Sequence, residues 1–225
     1  MNEWDSYRVQ DFIPFSPDVY FRLLARMGET FWPLQLVTLA LGFIALVLAL
    51  RGRGRLALLL LAPLWAFVGI AFFTQRYTDL NWVGQYLGWG WILQGAALLA
   101  LALTGYCCAG RSSIFTGATM TGVLIALIGL LGFPLLAPVL GVGWRGAEMF
   151  GLHPDPTAVV SLGILLIALR GWVLWFLCLL PMLWISLSAL TLQVLQAPWW
   201  PVLFAIVAAS FGGLFGKSRP DVRPG

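Results

Sequence analysis

Seven runs of apolar residues, set apart by short polar turns, constrain this chain more than anything else in it. They lie at about Phe31–Leu50, Leu56–Thr74, Trp82–Thr104, Ile114–Phe133, Pro156–Leu169, Trp172–Leu195 and Trp199–Gly216. Bilayer hydrocarbon is about 30 Å thick and takes about 20 helical residues to cross. It offers the backbone no water, so each N–H and C=O must be satisfied within the segment, and the helix does this. Only 10% of the 225 residues are charged and 60% are hydrophobic, with a mean hydropathy of +0.90. A soluble domain carries about 25% charged residues. The expectation is an all-α polytopic transmembrane helix bundle of about seven spans. The twelve Trp suit the aromatic belts at the two bilayer surfaces.

Three parts follow in chain order: an N-terminal segment at 1–30, the bundle at 31–216 and a basic tail at 217–225. Ser16-Pro17-Asp18 is a helix start, with a hydroxyl N-cap, Pro at the first position and an acid in the first turn. From there Asp18, Arg22, Arg26 and Glu29 fall on one face and Tyr20, Leu23, Leu24 and Met27 on the other. This predicts an amphipathic interfacial helix ending near Gly28. Pro33 is tolerated in the first turn of the first span, and Pro63 and Pro181 predict kinks. Ser112 or Ser113 can cap the fourth span, and Pro134 and Pro138 are expected to break the chain after it. In HPDPT (153–157), Asp155 is expected to be the N-cap and Pro156 the first helical residue. The fifth span is short, about 21 Å for a bilayer of about 30 Å. A thinned bilayer, a partly buried loop or helical continuation must make up the difference.

Charge sets the expected orientation. With seven spans, one side holds Arg51, Arg53, Arg55, Arg111, Arg170, Lys217, Arg219 and Arg223 against Asp221 alone, while the other holds five Arg and eight acids. The positive-inside rule then puts the N-terminus outside and the C-terminus in the cytoplasm. The basic residues are scattered or sit in RGRGR (51–55), a topology signal that gives no case for nucleic acid.

Chemistry is sparse. No Asp, Glu, Lys, Arg or His falls in the middle of a predicted span, and ion-coupled transporters need such groups at depth. The protein alone is therefore expected not to couple solute movement to a proton gradient. One His excludes bis-His haem ligation. Cys107, Cys108 and Cys178 form neither a disulfide framework nor a metal-ligand cluster. No catalytic group, cofactor or metal is predicted. The best polar candidate is on the third span, where Tyr86, Gly90 and Gln94 recur at helical spacing. Gly90 leaves a notch that could hold a small polar solute or admit a neighbouring helix, with Gln94 bonding to Ser186 or Thr191. Polar residues of the outer loops form a second candidate set: Arg76, Asp79 and Asn81 in QRYTDLNW, and His153 and Asp155. The latter pair could hold a metal only loosely, and a loop His beside a capping Asp is the expected arrangement. Small-residue stripes at Ala118, Gly122 and Ala126 and at Ala205, Ala209 and Gly213 predict close helix packing.

The segments DFIPFSPDVYFRLL (11–24), WPLQL (32–36), QRYTDLNW (75–82) and HPDPTAVVSLGILL (153–166) together resemble an uncharacterised family of bacterial multi-pass membrane proteins. That resemblance implies a bacterial inner-membrane location and carries no assigned activity. The expected function is that of a non-catalytic accessory, scaffold or interaction subunit. A passive carrier or channel for a small neutral or weakly polar solute is the alternative. The expected partners are the lipid bilayer and a membrane-protein partner or a second copy of the chain.

Overall fold

The computed structural model describes residues 14–106, 108, 116–141 and 143–218. Among them every regular element is helical, apart from an isolated bridge between Cys108 and Leu169. Five helices are long and apolar enough to cross a membrane, or six if one bent pair counts as a single span. The fold is all-α and consistent with a polytopic membrane bundle.

Helix α1 (Pro17–Thr30) buries Tyr20, Leu24 and Met27 and leaves Asp18, Arg22, Arg26 and Glu29 exposed. A turn containing a cis Trp32–Pro33 bond joins it to α2 (Leu34–Leu50), and the two axes meet at 90°. Helix α3 (Gly54–Val68) runs on through a π-turn at Gly69–Thr74 and a 3-10 turn at Tyr77–Asp79 into α4 (Gly84–Thr104). Helix α5 (Gly117–Leu127) passes through a second π-turn, Ile128–Gly132, into α6 (Phe133–Val139). Helices α7 (Pro154–Ala168), α8 (Gly171–Val194) and α9 (Trp200–Ser218) complete the bundle.

Two boundaries differ from expectation. Pro134 and Pro138 do not break the chain, because the helix continues to Val139. The π-turn lies immediately before Pro134, where a regular turn would press the proline ring against the carbonyl four residues earlier. Helix α7 begins at Pro154 with His153 as its N-cap, so Asp155 lies inside the first turn and does not cap it. Both prolines fit there because the first-turn amides have no intrahelical acceptor to lose. Thr116 caps α5, its hydroxyl accepting the Thr119 amide at 3.4 Å. Ser112, Ser113 and Cys107, and the charges of the tail beyond Ser218, lie outside the described residues.

Helix α7 is the axis of the molecule. All fifteen of its residues are buried, enclosed by α2, α3, α5, α8 and α9. Its apolar sequence therefore packs against protein on every side. The closest approach is to α5, where a Cβ added to Gly122 would stand 2.7 Å from the Gly163 carbonyl oxygen. Ala118, Gly122 and Ala126 are all buried along this side. The α9 stripe divides: Gly213 is buried against Leu166, whereas Ala205 and Ala209 face outward.

Cations close the helix ends at the basic end of the bundle. Arg55 donates from Nε to the Ala102 carbonyl at 2.9 Å and from Nη2 to Leu103 at 2.6 Å, capping α4. Lys217 of α9 donates to the carbonyls of Ile167 at 3.2 Å and Leu169 at 2.6 Å, capping α7. Terminal carbonyls lack intrahelical donors and form the negative end of the helix dipole, so both contacts are favourable.

Candidate functional site

The opposite end of α7 gathers the buried polar groups. His153 is fully buried. Its Nε2–H donates to the Leu24 carbonyl of α1 at 3.0 Å, and its Nδ1 accepts the Met149 amide at 3.0 Å. These two contacts define a neutral ring tied to the amphipathic helix on one side and to the preceding loop on the other. Burial pushes the imidazole down to about 4, against the raising influence of the Leu24 carbonyl. Protonating Nδ1 would also turn it towards the Met149 N–H as a second donor.

Asp155 is buried as well, and α8 supplies its partners. Trp184 Nε1–H donates to Oδ1 at 2.8 Å and Ser188 Oγ–H to Oδ2 at 2.6 Å. Trp184 and Ser188 are four residues apart, so they lie on one face of α8, towards the carboxylate. Tyr20 of α1 stands beside Ser188. One turn into α7, Thr157 donates to the His153 carbonyl at 2.6 Å and accepts the Gly151 amide at 2.8 Å. Further along, Ser161 accepts the Trp65 indole N–H at 2.7 Å. Trp65 stacks on Trp91 with centroids 4.1 Å apart, and Phe73 meets Trp184 edge-on at 4.9 Å. The indole N–H of Trp91 is buried without a hydrogen-bond partner.

Beside this network lies a cavity of about 330 Å³. Helices α1 and α6 form two walls, through Phe21, Leu24, Phe133 and Leu136, and the rim carries Glu148 and Trp199. Glu148 is half-buried. Burial of its carboxyl pushes it well above the usual carboxylate range, and the negative charge of Asp155 adds to the rise.

The loop residues expected to be functional divide into two groups. Arg76 donates to the Ala71 carbonyl at 2.5 Å and holds its guanidinium 5.2 Å from the Phe31 ring centroid. Asp79 is exposed, and Asn81 Oδ1 accepts the Val83 amide at 3.0 Å in a local turn. His153 and Asp155, in contrast, are enclosed by helices. On α4, Gln94 is buried and its Nε2 donates to the Leu177 carbonyl of α8 at 2.8 Å. Gly90 also faces α8, with Leu180 at 3.8 Å from a built Cβ. Tyr86 is 68% exposed and packs edge-on against Trp82. Ser186 and Thr191 bond to the carbonyls of Met182 and Leu187 on their own helix. None of these α4 and α8 residues lines the cavity. Among the described residues, no three of His, Cys, Asp and Glu come together as a metal site would require.

The sequence pattern did not single out Trp184 or Trp199, and it placed Tyr20 only on the apolar face of the N-terminal helix. The available signal was the pair Trp184 and Ser188, two hydrogen-bond donors on one face of an otherwise apolar helix.

The model of a family of unknown function, DUF6064, matches residues 17–213. The chain belongs to this family. The DUF6064 match runs from α1 into α9, so it includes the α7 network and the residues around the cavity. No curated protein and no solved structure matches the chain.

Proposed function

We propose that this DUF6064 protein is a non-catalytic accessory or interaction subunit of the bacterial inner membrane, with its N-terminus outside and its C-terminus in the cytoplasm. The observation that carries the reading is the complete burial of α7. A channel or carrier needs a polar route or an alternating cavity along the bundle axis, and here a packed helix occupies that axis. The polar groups at its head hold one another and their helices. The outward surface bears large apolar side chains, including Leu93, Leu103, Phe176 and Leu183, suited to lipid and to a membrane partner or second copy. The orientation is supported by Arg55, Leu169 and Lys217 meeting at one end, where the basic turns converge.

Two experiments test the reading. In proteoliposomes, small neutral solutes are expected to equilibrate no faster than in protein-free vesicles. Saturable, protein-dependent flux would replace the accessory reading with the carrier one. In a background without native cysteines, Asp18→Cys is expected to react with an impermeant thiol reagent in spheroplasts and Ser218→Cys to resist it. The reverse pattern would invert the orientation.

A further inference from the structure

We propose that the cavity between α1 and α6 is a binding site for an organic ammonium ion carrying an apolar body, with Glu148 as its counter-ion. The proposal is independent of the accessory reading. The chemistry of the walls selects the ligand. Among the described residues, Glu148 is the one ionisable member of the lining, and no Lys or Arg is part of it. An anionic ligand would meet the Glu148 carboxyl, and the side-chain donor of the described lining, the Trp199 indole N–H, carries no positive charge to offset it. Three aromatic residues, Phe21, Phe133 and Trp199, share the lining with it. The rings of Phe21 and Trp199 lie 5.8 Å apart at a tilt of 58°. Aromatic faces beside a carboxyl form the pattern that attracts organic cations, through the ring quadrupoles and the acid together.

Two further observations point the same way. Asp155 lies close enough for its charge to act on Glu148, so the region holds two acids. Asp155 is satisfied by Trp184 and Ser188, whereas no hydrogen bond or ion pair joins Glu148 to another described residue. An incoming ammonium supplies a partner that no described residue does. Leu24 and Leu136 line the cavity with no polar side-chain group, leaving room for a short hydrocarbon body. The volume of about 330 Å³ falls at the lower end of the range for small-molecule sites. The described lining offers a phosphate no cation, so if the ammonium belongs to a lipid headgroup its phosphate stays outside the cavity.

The test uses the full-length protein in dodecylmaltoside micelles, which carry no ammonium, and measures binding of octylammonium, with octanol and octanoate as neutral and anionic comparators. Empty micelles provide the partition background. Octylammonium is expected to bind at least tenfold more tightly than either comparator. Glu148→Gln is expected to reduce its affinity to that of octanol and to leave octanol unchanged. Equal binding of all three ligands, or a preference that survives Glu148→Gln, would overturn the proposal. Ala25→Phe keeps the carboxyl and fills the cavity, so octylammonium binding that persists in that variant would also overturn it. Adding phosphatidylethanolamine to the micelles separates the two sources of the ammonium. A severalfold loss of octylammonium affinity identifies the lipid amine as occupant, and unchanged affinity identifies a free amine. Both outcomes retain Glu148 as the counter-ion.

Discussion

Gln94 of α4 donates a hydrogen bond to the carbonyl of Leu177 in α8, and Leu177 stands four residues before Pro181. A proline has no amide hydrogen, so the carbonyl one turn earlier loses its intrahelical donor. The Gln94 side chain takes that place. The glutamine and the proline thus form one device on two helices, and it fastens α4 to α8 at a depth where water cannot substitute.

Gln94→Leu is expected to lower stability by about 0.6–2 kcal/mol, the range for hydrogen bonds between membrane helices. The cost should shrink in a Pro181→Ala background, where the residue-181 amide can reach the Leu177 carbonyl. Thermal unfolding of the double-mutant cycle in detergent measures the coupling. Equal costs in both backgrounds would separate the two residues.

Asp155 receives two buried donors. Asp155→Ala leaves the Trp184 indole and the Ser188 hydroxyl without that acceptor, and an unsatisfied buried group costs about 1–3 kcal/mol. Asp155→Asn retains an acceptor oxygen and should cost less. A chemical-denaturation series on the two variants distinguishes them, and equal losses would count against the hydrogen-bonded role.

The histidine gives a pH signature of known sign. The folded value of His153, about 4, lies below the ordinary 6.5. Between those limits the unfolded chain binds a proton that the native state refuses. The associated stability is therefore present above pH 6.5 and lost as pH falls towards 4. Glu148 and Asp155 act in the opposite direction, because burial raises both carboxyls and the native state holds their protons more tightly. In a Glu148→Gln, Asp155→Asn background the histidine contribution is isolated and amounts to about 3 kcal/mol. His153→Gln is expected to remove that pH dependence, as read from unfolding curves at pH 6.5 and 4. Identical slopes with and without the histidine would refute it.

Gly122 and Gly90 offer a matched pair. A Cβ on Gly122 meets backbone of α7 at 2.7 Å, whereas one on Gly90 meets only Leu180 at 3.8 Å. Gly122→Ala is expected to cost about 1–3 kcal/mol through overpacking. Gly90→Ala should be neutral or slightly stabilising, since Ala is the better helix former. Melting temperatures of the two variants decide it.

The helices were legible because apolar runs and the turns between them are local features. Helix α7 was legible as a helix, but its surroundings were not. Hydropathy registers exclusion from water and treats lipid and packed protein alike, so Pro156–Leu169 reads as a short span when its neighbours are in fact other helices. The same limit hid the site. Asp155 looks like an N-cap from its immediate neighbours, and the residues that hold it, Trp184 and Ser188, come about thirty positions later. Gln94 announced a partner by being polar, yet that partner is a backbone carbonyl with no side-chain signature. Only the position of Pro181 could have pointed to it. The two small-residue stripes looked equivalent, but burial separates Ala118 and Ala126 from Ala205 and Ala209, because the pattern does not say which side of a helix has a neighbour.

The enclosure of α7 imposes an order on biosynthesis. Two of the helices that surround it, α8 and α9, follow it in the chain. When α7 leaves the ribosome, two of its five neighbouring helices have yet to be translated. Until then His153 has its hydrogen bonds to α1 and the preceding loop while Asp155 lacks both of its donors, and the tail of α7 awaits the Lys217 latch. Maturation of the whole molecule is thus gated by its last helix, and a chain truncated before Trp200 would present the membrane quality-control machinery with an unfinished core.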